Sequence, residues 1–302
     1  MIAEFVASWP LFHDAYLAGW SIALLLALLG VVVVTRDQIF FGAAVAQASV
    51  LGIAVAIYVG GSPALARCAW CGDDWAHTLV GGLFAVAGAL ATAAAQPRRE
   101  TPEAITGWVF LTGSCFAVLL LAHSPHGMDE INRLLASTII GAGAVDVAVL
   151  AGLFMLAAVA TALWSAPLRL VLMDPEMASA VGVRVAVWNR ALAIGLGAAM
   201  GIAIHVSGVV FSFGLLVLPA LVTKQLCREV GQMLWASPLV GLAAAIAGFV
   251  VANDRDLPPG QAVVAILCAL LAAAWVARRL GDRLQLRARL RSTICRMPPW
   301  RR

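Results

Sequence analysis

The sequence predicts an all-α, polytopic membrane protein. Of its 302 residues 62% are hydrophobic and only 12% are charged, whereas a soluble domain is about half apolar and a quarter charged. The apolar residues also gather in runs of about 20, the length that crosses hydrocarbon as a helix. Backbone groups in lipid must be satisfied within their own segment, so these runs belong to one helical bundle rather than to separate soluble domains.

Residues 1–15 are a short lead carrying Glu4, His13 and Asp14. The first run, 16–34, lacks a positively charged flank and a small-residue cleavage site, and so reads as a retained span. The polar turn Thr35-Arg36-Asp37-Gln38 joins it to a second run, 40–60. A polar loop, 61–76, precedes the third run, 79–95. The break 96–103 precedes the fourth, 105–122. Beyond polar 123–132, the stretch 134–140 is too short to span and Gly141-Ala142-Gly143 interrupts it. We expect a half-helix there, then a fifth span over 145–164, with the break buried in protein or lining a pathway. The runs 191–204 and 209–222 are short and meet at Val206-Ser207-Gly208. Runs 234–252 and 262–277 follow. The count is about nine membrane segments, or eight full spans if the short pair is re-entrant. Residues 1–277 are expected to form the transmembrane domain, with a cytoplasmic loop at 166–190, and 278–302 a basic tail with nine arginines.

Inside that loop lies a well-punctuated stub. Asp174 suits an N-cap, Pro175 suits the first helical position, and Glu176 adds favourable charge at the positive helix end. Gly182 fits a left-handed C′ position, which predicts a two-turn helix over 175–181. A stub too short to span and too well capped to be floppy suits force transmission to another protein. An ordinary interfacial turn is the plainer alternative.

Placing the stub in the cytoplasm and alternating the spans puts seventeen of the twenty Lys and Arg residues inside. Only Arg67, Arg133 and Arg255 fall outside. That bias fixes the orientation, with a cytoplasmic C-terminus. The tail alternates arginines with Leu280, Leu284, Leu286, Leu290 and Ile294, a composition that suits an anionic leaflet better than nucleic acid.

No phosphate-binding loop, nucleophile elbow or H-E-x-x-H motif is present, so the chain is expected to be neither an ATPase nor another enzyme. All five histidines fall at or near the outer side. Cys68, Cys71, Asp73, Asp74 and His77 cluster within ten positions. Those donors suit a borderline metal such as zinc, but a disulfide or free thiols are the commoner fate of such a pair outside the cytoplasm. His123 and His126 are a second, weaker pair. Gln47 and His205 are the polar residues best placed inside the bundle, although a neighbouring helix can satisfy each of them.

The run Val206-Ser-Gly-Val-Val-Phe-Ser-Phe-Gly-Leu-Leu-Val-Leu-Pro-Ala220 adds specificity. With the stub's Asp174-Pro175-Glu176, Ala178 and Gly182 upstream and Asp254-Arg-Asp-Leu-Pro-Pro-Gly260 downstream, it resembles the membrane permeases of zinc, manganese and iron ABC importers. The resemblance implies a homodimeric pore in a bacterial plasma membrane, two cytoplasmic ATPase subunits and an extracytoplasmic substrate-binding protein. Asp174, Pro175, Glu176, Ala178 and Gly182 would form the helix that docks the ATPase. ATP would act there, and this chain would bind no cofactor of its own. Ser212 and Pro219 join Gln47 and His205 as pathway candidates.

One departure bears on the cargo. The family pattern R-x-x-x-x-x-G-D-x-x-S-H is kept at Arg36 and Gly42, but Ala43 replaces the acid and Ala46-Gln47 replace Ser-His. Two other readings follow from that loss and from the membrane character: an ion-coupled secondary carrier, and a permease-like subunit with a structural or regulatory role. A carrier calls for buried ionisable residues mid-span, and this chain has almost none.

Overall fold

The computed structural model describes residues 2–60, 74–93, 101–122 and 139–296. Among them the chain is helical throughout: α1 (Ile2–Thr35), α2 (Ile39–Gly60), α3 (Asp74–Ala93), α4 (Pro102–Ala122), a 3-10 turn at Ile139–Gly141, α5 (Ala144–Leu163), α6 (Ser165–Met173), α7 (Pro175–Ala180), α8 (Val185–Ser207), α9 (Val209–Leu226), α10 (Val230–Arg255) and α11 (Pro259–Arg296). Nine of these helices are long and apolar enough to cross a membrane.

The pair expected to be short bears on the choice between eight and nine, and both of its helices count among the nine candidate spans. α8 and α9 are 23 and 18 residues long, because each continues through polar residues that hydropathy alone would exclude. Each is long and apolar enough to cross a membrane, and the two are joined at Gly208. Its φ of 78° and ψ of 172° lie in a region open essentially to glycine. The expected half-helix at 134–140 falls mostly outside the described residues; its end is the turn at Ile139–Gly141. α5 then starts at Ala144, where the Gly143 N–H donates to Asp146 Oδ2 at 2.9 Å. Asp146 is thus a helix-start acid that satisfies a free amide, not a charge stranded in lipid. α1 takes in most of the expected lead, with a kink at Phe12 just after Pro10.

α1 is the central post. Ile22, Leu25, Leu26 and Val31 are fully buried on it, and it packs against α5, α9 and α10. α11 closes this group against α9 and α10. In the second group α3 lies between α2 and α8, and α4 flanks α2. Lipid supplies no hydrophobic force between helices, so close backbone approach does the holding. Gly197 and Gly201 of α8 face α3, where an added Cβ would lie 2.7 Å from the Val86 Cα and 2.5 Å from the Gly82 Cα. At Gly30 the approach is tighter still. A Cβ there would fall 1.7 Å from the carbonyl oxygen of Leu216 on α9. α5 packs chiefly on α1 and exposes Val145, Leu156 and Leu163, an apolar face suited to lipid.

Candidate functional site

Several of the described polar contacts involve the stub, the α1–α2 turn, Lys224 near the end of α9 and Arg278 of α11. The stub is α7. Asp174 Oδ1 accepts from the Met177 N–H at 2.9 Å, as an N-cap should, and Pro175 takes the first helical position. At the other end Gly182 has φ +92°. The Gly182 N–H donates to the Ser179 carbonyl at 3.1 Å and the Val183 N–H to the Ala178 carbonyl at 2.9 Å, which together make a Schellman cap. The helix is one residue shorter than the sequence suggests, because Val181 serves as the C-cap.

The site residues on the stub divide by environment. Asp174, Pro175, Glu176 and Gly182 are exposed. Ala178 is fully buried and faces the stub's own foundation. The outward apolar residues are Met173, Met177 and Val181, exposed to 71%, 54% and 66%. That foundation includes α6, a helix within the stretch expected to be loop. Its buried residues Leu168, Val171 and Leu172 have the i, i+3, i+4 spacing that could have revealed it. Trp164 and Trp188 meet edge-on beside it, 6.5 Å apart.

The α1–α2 turn is a second Schellman cap. Asp37 N–H donates to the Val34 carbonyl at 3.3 Å and Gln38 N–H to the Val33 carbonyl at 3.0 Å. The C′ position is held by Asp37 at φ 53° rather than by glycine, at a cost of about 1 kcal/mol. Its carboxylate meets Lys224 Nζ of α9 at 2.6 Å, and the same ammonium donates to the Val34 carbonyl at 3.2 Å. Arg36 turns the other way. Its Nη2 donates to Asn189 Oδ1 of α8 at 2.9 Å. Burial lowers the pKa of its guanidinium from the ordinary value, though arginine stays charged. Both side chains line a cavity of roughly 260 Å³, with Asp37, Gln38, Glu103 and Thr106 among its other polar walls. On α11, Arg278 Nη1 donates to Gln225 Oε1 at 3.0 Å.

The pathway candidates are spread through the bundle. Ser212 is buried near the start of α9, and its Oγ lies 3.0 Å from Ser207 Oγ. Ser207 donates to the Ala203 carbonyl at 2.8 Å, so Ser212 donates to Ser207. His205 is half-buried in the last turn of α8. Pro219 lies about two turns farther along α9, near Gly241 of α10. Gln47 is half-buried on α2, with its backbone against Gly113 of α4. Positions 43 and 47 share one face of α2, a turn apart.

Of the outer donors, Cys68, Cys71, Asp73, His123 and His126 lie outside the described residues. Asp74 opens α3. His77 sits in the next turn, half-buried, and its Nδ1 has no partner among the described residues. Among the described residues no group of three or more His, Cys, Asp and Glu side chains could hold a metal ion.

Comparison with known proteins covers nearly the whole chain. Residues 8–278 match the model of the ABC 3 transport family. A "Probable metal transport system membrane protein" of Thermotoga maritima is 24% identical over 264 residues, covering 84% of this chain and 89% of that protein. The manganese transport system membrane protein MntC of Halalkalibacterium halodurans is 22% identical over 268 residues, covering 89% and 87%. In fold the chain is similar to a chain of the Streptococcus pneumoniae PsaBC complex solved with a Fab. The TM-score is 0.75 at 16% identity, covering 91% of this chain and 95% of that one.

Proposed function

The chain belongs to the ABC 3 transport family, and from that premise we propose that it is the membrane-spanning permease of an ABC importer for divalent transition-metal ions. The observation that carries the mechanism is the stub. It is a short helix capped at both ends and rooted by Ala178; it presents Met177 to the outside, flanked by exposed Met173 at the end of α6 and by exposed Val181 at its C-cap. A pre-ordered helix with exposed apolar anchors suits a groove on a partner, since little ordering entropy is lost on docking. The partner of that description is a cytoplasmic ABC ATPase, on which ATP acts.

The positive-inside bias supports placing the stub end in the cytoplasm, together with Arg36, Lys224 and Arg278. The opposite end, with Ile139, Tyr16 and Asp256, then faces an extracytoplasmic binding protein. The enclosing membrane is a bacterial plasma membrane. A second copy of the chain completes the pore.

The pathway carries no fixed acid or imidazole at positions 43 and 47, where Ala43 and Gln47 stand. A bare divalent ion is costly to hold in a medium of low dielectric without such groups. Zinc or manganese would therefore pass from the binding protein through the permease without being stored at that position.

Docking at the stub is tested by co-expressing the tagged permease with ABC ATPase subunits from the same genome. Wild type should retain the ATPase through purification. Met177→Asp places a charge at a central apolar anchor and should lower retention at least ten-fold, the scale of a hot-spot loss. Equal retention by wild type and Met177→Asp would remove the stub from the interface.

A further inference from the structure

The geometry points to Arg36 as a positioning residue that carries movement of the ATPase-docking stub to the pathway helix α2, through its hydrogen bond to Asn189. The inference rests on the permease reading and names a residue between the stub and the pore.

Each link in the chain of contacts is short. The stub is joined to α8 by the Schellman bonds around Gly182 and by the Val185 N–H to the Val183 carbonyl at 2.9 Å. Asn189 lies in the early part of α8, seven residues past Gly182. Its Oδ1 accepts from Arg36 Nη2 at 2.9 Å, across 153 residues of sequence. Arg36 sits within a cap whose backbone bonds tie α1 to the start of α2. A pull on its guanidinium therefore reaches backbone that is already ordered, rather than being lost in a flexible loop.

The turn is also held from a second side. Lys224, near the end of α9, binds both Asp37 and the Val34 carbonyl. So α8 grips the turn through Arg36 and α9 grips it through Lys224. These two helices meet at the far end at Gly208, whose backbone only glycine readily adopts. A displacement of the stub that tilts α8 relative to α9 changes the separation of Asn189 and Lys224. The turn between them must follow one or break from the other. The cavity beneath, walled by Arg36, Asn189, Asp37 and Glu103, leaves room for that shift. α2 begins two residues beyond the turn's centre and carries positions 43 and 47 on its next turns.

The test uses the complete transporter in proteoliposomes: permease, ATPase subunits and binding protein. ATP hydrolysis and uptake of Zn²⁺ and of Mn²⁺ are measured side by side. The variants are Arg36→Gln, Asn189→Ala, the double variant, and Asn189→Asp. Arg36→Gln and Asn189→Ala should each lower the ratio of ions moved to ATP hydrolysed at least ten-fold, with ATPase retention and hydrolysis within two-fold of wild type. The double variant should be no worse than either single one, since both remove the same bond. Asn189→Asp offers a charged acceptor and should keep near-wild-type coupling.

Wild-type coupling in both single variants would overturn the inference. So would independent, multiplying losses in the double variant. Loss of ATPase retention in both single variants would show the pair to be structural only, and would overturn it as well. A wild-type complex that moves neither ion while hydrolysing ATP would overturn the permease reading itself, a result distinguishable from failure of the Arg36 link.

Discussion

Gly30→Val should leave almost no stable permease. The Cβ of any side chain at residue 30 would lie 1.7 Å from the Leu216 carbonyl oxygen, about half of a normal contact distance. The obstacle is backbone, so no rotamer change relieves it. α9 cannot easily retreat either. Its Leu216 side chain is met from α2 at Gly42, where an added Cβ would lie 2.6 Å away. On α10, Gly241 fits against Ala23 and Ala27 of α1 and Pro219 of α9. Overpacking a dense core costs about 1–3 kcal/mol and sometimes more, and a clash with a main-chain oxygen belongs at or above the top of that range. The yield of monodisperse protein in detergent, with the thermal midpoint of what survives, measures the effect. Gly195→Val is the control, because nothing lies within 4 Å of a Cβ there. A Gly30 variant as stable as the Gly195 variant would refute the close α1–α9 packing.

Gly182→Val should separate assembly of the bundle from its coupling. The φ of +92° at residue 182 is one that β-branched residues rarely adopt, yet a Cβ would meet nothing within 4 Å. The strain is therefore conformational, local to the stub, and invisible to the spans. The cap that sets the exit from α7 should rearrange, tilting Met177 and Val181 away from their docking orientation. Insertion and thermal stability should stay near wild type, while ATPase retention and uptake fall at least ten-fold. Gly182→Asn should recover most of both, since asparagine visits left-handed backbone more readily. Equal function of the Val and wild-type proteins would show that the cap geometry is not what the ATPase reads.

The contrast between these two positions shows what could be read from the chain alone. The stub was legible because its signals are local. An acid, a proline and a glycine at fixed offsets specify the caps, and α7 forms between them. The nine spans were legible as apolar runs, but their ends were not. α8 starts at Val185 and α9 ends at Leu226, with Asn189, Arg190 and Lys224 inside the helices. Hydropathy discards such residues, although a helix end near water accepts them. α6 is hard to see in a linear reading because Pro167 and Arg169 break the apolar run, although Leu168, Val171 and Leu172 share one face.

The Arg36–Asn189 bond could not be read at all. Neither residue is unusual in its own neighbourhood, and only the packing of α8 beside the α1–α2 turn brings them together. The same holds for Gly30, whose partner is a main-chain oxygen on a distant helix. For the pathway, sequence picked out Gln47, His205, Ser212 and Pro219, and the structure sets them in different surroundings. Ser212 closes a hydrogen bond with Ser207, Pro219 lies by Gly241 of α10, and Gln47 has its backbone by α4. The sequence cannot express that dispersion, because it depends on which way each helix is turned.

The most direct measurement is ion uptake by the reconstituted wild-type transporter. Proteoliposomes containing the permease and its ATPase, supplied with the binding protein, are given ATP and either Zn²⁺ or Mn²⁺. The account predicts accumulation of at least one of the two ions that requires ATP, the ATPase and this chain together. Accumulation driven instead by an ion gradient in the absence of the ATPase would contradict it.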